Sequence, residues 1–175
     1  MKIETIKTKR LVLRPYRMSD AEIATKNLCN KKISRWLSSL PSPYRIEDAN
    51  NWIGKMIEER KKKEPQTIAY VIEYEKKMIG AIGLHGIVFG HKAELGYWLS
   101  EEFWGKGVMS EAVTALVSYA FRRLRLRRIQ AGTFVGNSGS EGVLKKCGFQ
   151  HEGLIRNDVK KNNRFVDCNI FSRIK

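Results

Sequence analysis

The stretch Trp104-Gly105-Lys106-Gly107-Val108-Met109-Ser110 joins a strand-like run to a helix-like run. Two glycines let a backbone approach a ligand with no Cβ in the way. The first N–H groups of a helix have no partner within it, and the helix dipole is positive at that end. The junction therefore suits an anion such as a pyrophosphate. Lys106 adds a mobile positive charge. A P-loop needs four residues between its first glycine and a Gly-Lys-Ser/Thr end, which GKGVMS does not supply. A dinucleotide fingerprint needs a third glycine where Ser110 stands. It also needs an acidic residue about 20 positions on, where Arg125, Arg127 and Arg128 make the chain basic. An adenine nucleotide with a pyrophosphate stays compatible, and a plain glycine-rich turn is the alternative.

Other reactive side chains are sparse. His85, His91 and His151 have no metal-ligand spacing with one another or with cysteines, so no metal is expected. Cys147 has His151 four residues on, but Gly148 ends the helix between them, which favours a buried thiol over a nucleophile. Three cysteines are an odd set that fits a reducing cytosol better than a disulfide framework. The charge is less ordinary. Thirty-three Lys+Arg against 18 Asp+Glu leave +15, a field that attracts polyanions such as nucleic acid or a phosphate-rich ligand.

These residues must be positioned by a chain of 175 residues, long enough for one domain with a sizeable core, expected over 1–175. No apolar run approaches the ~18 residues of a membrane span. The first 17 residues carry six basic side chains and no apolar core, so neither membrane nor signal peptide is expected. Patterning predicts a strand over 9–14, a helix capped by Ser19-Asp20 and running to Cys29, a short helical piece over 33–40, and an amphipathic helix over 45–63. Strands follow over 66–74, 78–88 and 93–99. A helix over 108–124 shows Ala112, Leu116, Tyr119-Ala120 and Arg123 along one stripe. A strand over 128–135, a short helix over 140–147 stopped by Gly148, and a hairpin of 151–159 with 165–174 complete the chain. Trp36, Tyr44 and Trp52 are expected to pack the N-terminal helices. The order reads as one α/β domain around a mixed sheet.

Four blocks, in order, carry a family resemblance. Thr8-Lys9-Arg10-Leu11-x-Leu13-Arg14-Pro15 opens the chain. Gly96-Tyr97-Trp98-Leu99, Glu101-Glu102 and the run from Gly105 to Ala112 form the second block. The third is Asn137-x-x-Ser140-x-x-Val143-Leu144-x-Lys146-Cys147-Gly148-Phe149-x-x-Glu152-Gly153, and Phe165-Val166-Asp167 is the fourth. Together they resemble the GNAT superfamily of N-acetyltransferases, in its RimJ/RimL-like branch of ribosomal-protein N-terminal acetyltransferases. The superfamily signature Gln/Arg-x-x-Gly-x-Gly/Ala is met here at Gly107, with Trp104 and Met109 departing from it in the manner of that branch.

The resemblance implies a mostly antiparallel mixed sheet with a splayed central strand pair and helices on both faces. It implies acetyl-CoA as cosubstrate, no metal, and direct transfer to a primary amine. Tyr97, Trp98 and Leu99 would hold the pantetheine as an added strand does, and a backbone N–H there would polarise the thioester carbonyl. Trp104, Gly105, Lys106, Gly107, Val108, Met109 and Ser110 would take the pyrophosphate. Asn137 would bond the pantetheine or cap its helix. Ser140 would protonate the leaving thiolate, or serve as an N-cap; the tyrosine other branches use is replaced here by Leu144. Glu94, two residues before Gly96 on the same strand face, is the candidate base, with Asp158 and His85 as rivals.

A firm base is scarcely needed for an α-amine of pKa ~8, roughly one-tenth neutral at pH 7, whereas a lysine at ~10.4 needs one. That favours a protein N-terminus as acceptor. A polyamine or aminoglycoside is the enzymatic rival, served if Asp20, Glu94 or Glu101 makes the cleft acidic. A non-catalytic basic module on ribosomal RNA is the rival of another class. The arginine-rich run over 122–128 could meet the 3′-phosphate of CoA, contact RNA, or complement a helix C-terminus. The expected protein is cytosolic, a monomer or a homodimer.

Overall fold

Eight strands order as β1-β2-β3-β4-β5-β6-β8-β7 in one sheet in a computed structural model that describes residues 3–175. Met1 and Lys2, at the start of the expected domain, lie outside the described residues. The strands are β1 (Ile6–Lys7), β2 (Val12–Pro15), β3 (Ile68–Tyr74), β4 (Lys77–Val88), β5 (Lys92–Leu99), β6 (Arg128–Phe134), β7 (Gln150–Lys161) and β8 (Arg164–Ile174). The helices are α1 (Ala21–Leu28), the one-turn α2 (Lys31–Ser34), α3 (Ile46–Glu59), α4 (Val108–Arg123) and α5 (Ser138–Lys146).

Every pairing is antiparallel except β5 with β6. That parallel pair is brief: Lys92, Ala93 and Glu94 face Arg128, Ile129 and Gln130, and then the strands part. From Leu95 onward β5 is held by β4 alone, while β6 continues on β8. The sheet therefore forks at its centre, as the resemblance implied, and one backbone edge of β5 has no ladder partner beyond Glu94.

Two cores grip the sheet. On one face α4 turns Ala112, Val113, Leu116, Val117 and Ala120 fully inward against Leu13, Ile68, Leu84 and Leu95. A buried leucine or valine contributes about 1.5–3 kcal/mol, so this helix is firmly seated. On the other face Ala49, Ile53 and Met56 of α3 pack on Val71, Met78 and Ala81, with Ala21 and Ala24 of α1 beside them.

Several expected boundaries move, each because a side chain captures the backbone. The strand expected over 9–14 starts only at Val12, as β2, because the Thr8 hydroxyl accepts from the Leu11 N–H at 2.9 Å and closes a turn ahead of it. The helix expected from Ser19 opens with a 3-10 turn (Met18–Asp20). The Asp20 carboxylate accepts from the Arg17 N–H at 2.7 Å and leaves α1 uncapped by a side chain. The piece expected over 33–40 shrinks to α2, which Asn30 starts by accepting from the Lys32 N–H at 2.9 Å. The amphipathic helix stops at Glu59 rather than Lys63, where its carboxylate collects the Gln66 N–H and Lys62. Arg123 leaves the apolar stripe of α4 for the surface and pairs with Glu4 at 3.1 Å. Tyr44 packs on the α3 core as expected, and Trp52, 37% exposed, lines the cleft beside that core.

The last hairpin turns at Asn162-Asn163, both with positive φ, the geometry a tight hairpin demands. Lys161 at its tip reaches across to α2. Its ammonium donates to the Ser34 carbonyl at 2.6 Å and to the Leu37 carbonyl, and sits 5.7 Å from the Phe134 ring.

Candidate active site

The anion end of the site lies where β5 gives way to α4. Gly105 and Gly107 hold φ of +73° and +71°, and Gly107 is the N-cap of α4. A Cβ built on Gly105 would meet nothing, and one on Gly107 only Arg10 Nη2 at 3.8 Å. Left-handed backbone, not crowding by protein, is what requires glycine at both positions. The first helical bond runs from the Glu111 N–H to the Gly107 carbonyl, so the N–H groups of Val108, Met109 and Ser110 have no acceptor within the helix. The side chains of Val108 and Met109 are buried in the core; these residues offer a ligand their backbone only. Lys106 is exposed, with its ammonium 5.8 Å from the Phe103 ring. Trp104 donates its indole N–H to the Leu99 carbonyl at 2.8 Å, which pins the loop to the end of β5.

A cation not expected here completes this end. Arg10 donates to the Lys106 carbonyl at 3.1 Å and pairs with Glu111 at 2.7 Å, and Thr8 shares Glu111 at 2.6 Å. The N-terminal segment thus braces the first turn of α4. In the sequence Arg10 showed only as part of the opening block, 96 positions before its carbonyl partner.

Along the forked edge, Tyr97 leans toward α5. Its hydroxyl lies 2.8 Å from Ser140 Oγ and 3.3 Å from the Ser140 carbonyl. Burial pushes the Tyr97 phenol up to about 12. Ser140 is not the N-cap. Asn137 is, its carboxamide oxygen accepting the Ser140 N–H at 3.2 Å, and that leaves the serine hydroxyl to the tyrosine. Asn137 thus caps the helix, while its amide N–H groups keep their donors for a ligand. A tyrosine does reach the site, from β5 rather than from the Leu144 position. Cys147 is buried, and its Sγ lies 3.4 Å from the Ser110 carbonyl it donates to.

The opposite face of β5 opens a cleft of about 620 Å³ walled by α1, α3 and the 37–44 loop. Glu94, Gly96 and Trp98 line its floor with His85, and Tyr97 borders it. Glu94 and His85 face each other across the β4–β5 ladder. Water reaches the Glu94 carboxylate, yet the enclosing walls, and secondarily the charge of Asp158, hold it above the usual carboxylate range. Burial, and then Lys55, hold His85 below the usual imidazole range, so it is neutral at pH 7. Its ring stands 6.0 Å from that of Trp52, and a Cβ at Gly96 would press on its Nε2 at 3.3 Å.

Two of the acidic residues considered for this cleft are committed elsewhere. Asp20 is buried and takes Arg14 through both oxygens, at 2.7 and 2.9 Å. Glu101 is held by Lys32 at 2.5 Å and Asn30 at 3.1 Å. Among the described residues no cluster of three His, Cys, Asp or Glu could hold a metal, and no helix is long and apolar enough to cross a membrane.

The sheet thus sets a forked strand edge beside an amide-rich helix start, with a cleft on the other face of β5. The model of the acetyltransferase (GNAT) domain matches residues 10–150. An uncharacterized N-acetyltransferase of Bacillus subtilis (strain 168), YoaA, is 35% identical over 173 residues, 97% of this chain and 96% of that protein. The ribosomal-protein-serine acetyltransferase of Escherichia coli (strain K12) is 34% identical over 106 residues, 60% of this chain and 59% of that one. Among solved structures, the ribosomal L7/L12 alpha-N-protein acetyltransferase RimL in complex with coenzyme A superposes with a TM-score of 0.87 at 25% identity, covering 98% of each chain. The chain belongs to the GNAT family of N-acetyltransferases.

Proposed function

We propose that this chain transfers acetyl from acetyl-CoA to the N-terminal α-amino group of a protein, that of a ribosomal protein, in the cytosol. The carrying observation is the state of the cleft's acids. A polyamine or aminoglycoside needs several free carboxylates to offset the repulsion of a +15 protein. With Asp20 and Glu101 committed and Asp48 accepting the Arg45 N–H at 2.8 Å, Glu94 remains in the cleft, with Asp158 acting on it, against Lys55. That balance suits one ammonium group. The relatives named for ribosomal-protein acetylation support the same acceptor class.

Acetyl-CoA, when bound, supplies an activated thioester. The chain's own residues do the rest. The free edge of β5 at Tyr97, Trp98 and Leu99 offers backbone groups to the pantetheine, and a backbone N–H there polarises the thioester carbonyl. The amides of Val108, Met109 and Ser110, with Lys106 and Arg10, take the phosphates. Asn137 offers its amide N–H to the pantetheine. Glu94 accepts the ammonium proton through water. The Tyr97 hydroxyl, 2.8 Å from Ser140 Oγ, holds the serine hydroxyl that donates to the departing thiolate. Holding amine and thioester together supplies much of the rate.

Thiol release in the presence of acetyl-CoA tests this directly. Peptides with free Ser or Ala N-termini are expected to exceed spermidine, an aminoglycoside and an Nα-blocked lysine peptide by at least about tenfold in kcat/KM, a 1.4 kcal/mol preference. Preference for spermidine would transfer the assignment to small polyamines. Absence of thiol release with every amine would leave a non-catalytic module.

Glu94→Gln separates activity from stability. Activity at pH 7 is expected to fall about tenfold, less than the ~100-fold or more usual for a general base, because the acceptor is already partly neutral. The acid limb of kcat/KM, which the raised carboxyl places above the ordinary carboxylate range, should vanish with it. A carboxyl raised in the folded state weakens folding once ionised, so stability falls as pH climbs through its folded value. Glu94→Gln should therefore raise Tm slightly at pH 7 and leave it unchanged at strongly acid pH. A variant with an unaltered acid limb would show that another group takes the proton.

A further inference from the structure

The arginine-rich run lies at the wrong end of the molecule for the cofactor. The phosphate-binding amides start α4, the run follows its last turn, and sixteen residues at 1.5 Å each separate the two by about 24 Å. The run instead joins the edge of the sheet where β5 and β6 begin and β8 ends, with Lys92 opposite Arg128 and Arg128 opposite Ile174. Leu124 and Leu126 are buried while Arg123, Arg125 and Arg127 between and beside them are exposed, so the alternation turns the arginines to solvent. The backbone beneath is sewn down. The Arg127 and Arg128 N–H groups both donate to the His91 carbonyl, at 2.7 and 3.0 Å, and the Lys175 N–H donates to the Arg127 carbonyl at 3.0 Å. Arg125 sits at φ +55°, where a β-carbon is strained and glycine or asparagine is the usual occupant.

Acidic partners cover part of this face. Arg123 pairs with Glu4, and Arg128 with Glu152 at 2.5 Å. Arg122, Arg125, Arg127 and Lys92 are exposed and have no carboxylate partner among the described residues. We infer that this end of the sheet is a docking face for the phosphate backbone of folded RNA, remote from the phosphate-binding start of α4. Guanidinium forks match phosphate oxygens in pairs, and arginines on a fixed backbone lose little freedom in meeting them. A membrane surface is disfavoured because Val88 and Ile174 are the large apolar side chains exposed at this end among the described residues, and Phe89 beside them is half-buried against the core. The choice of RNA over other nucleic acid rests on the proposed ribosomal acceptor.

The test is fluorescence anisotropy of a labelled RNA stem-loop across a salt series. Its comparison arms are duplex DNA of matched length and phosphatidylcholine vesicles containing phosphatidylserine. The intact protein should bind the stem-loop saturably, with log affinity falling about 3 units per tenfold rise in salt if it covers three or four phosphates. Arg122→Glu with Arg125→Glu and Arg127→Glu should weaken binding at least tenfold and flatten that slope by 2 units or more. The same charge change at the exposed Lys26, Lys146 and Lys160 should weaken it less than threefold. Acetylation of a free peptide by the arginine variant should be unchanged, so loss of RNA binding and failure of the acetyltransfer reading are separately visible. Equal losses in the two triple variants, tighter binding to DNA or to vesicles, or no saturable RNA binding would each overturn the docking face.

Discussion

Ser140→Ala is expected to lower kcat about 100-fold, within the range for loss of one positioned proton donor, with little change in acetyl-CoA affinity. The geometry behind this is the 2.8 Å contact between Tyr97 Oη and Ser140 Oγ. With its phenol pushed up to about 12 by burial, Tyr97 keeps its proton at any working pH and remains a donor. Tyr97→Phe should then lower kcat about tenfold. The double variant should be scarcely worse than Ser140→Ala alone, because the tyrosine acts through the serine. Pre-steady-state thiol release together with calorimetric binding of acetyl-CoA separates the possibilities. Multiplicative losses would mean the two hydroxyls work independently. Lost affinity with unchanged kcat would reduce Ser140 to a ligand contact.

Arg14→Met carries the largest expected loss of stability, about 3–5 kcal/mol. Arg14 is buried, pairs with Asp20 at 2.7 Å and Glu73 at 2.6 Å, and is held firmly protonated by them, Asp20 above all. Removing it leaves Asp20 uncompensated in the interior. For a chain of this size that corresponds to a fall in Tm of roughly 10 °C or more, a large part of a typical domain's total stability. The effect reaches the site, because the pair ties the entry of α1 to β2 and Ala24 and Leu28 of α1 wall the cleft. Adding Asp20→Asn and Glu73→Gln should recover part of the loss, since amides need no counter-charge. A Tm within 2 °C of the parent in Arg14→Met would falsify a structural role for the triad.

Most elements were legible because their patterns are local. The β-branched run before Tyr74, the stripe from Ala112 to Ala120 and the glycine after Cys147 each announce themselves within a few residues. The fork was legible only through the resemblance: nothing in the composition of β5 says that its pairing with β6 stops at Glu94. Boundaries slipped where Thr8, Asp20, Asn30 and Glu59 bind backbone, a choice that depends on which neighbour arrives in space.

The site divides the same way. Trp104 through Ser110 could be read as an anion cradle from glycine spacing alone. The partners of Asp20 and Glu101 could not, so both looked available to a cationic acceptor. Tyr97 and Ser140 are 43 positions apart, and Arg10 and Glu111 101 apart. Such pairs leave no mark on a periodicity. The reach of α4 likewise sets Arg122 and its neighbours about 24 Å from the amides proposed for the phosphates.

The tie from Lys161 to the Ser34 and Leu37 carbonyls sets an order of assembly. Its partners lie 127 and 124 positions apart. A chain emerging from its N-terminus holds α1, α2 and α3 long before the strand that fastens the 37–44 loop exists. Contacts of such separation form late, after the loop-closure entropy of the intervening chain has been overcome. The wall of the cleft is thus completed by the hairpin of β7 and β8. An unfinished chain that already displays the glycine junction and α4 still lacks the tie that fixes this wall, so the junction can form before the cleft is whole.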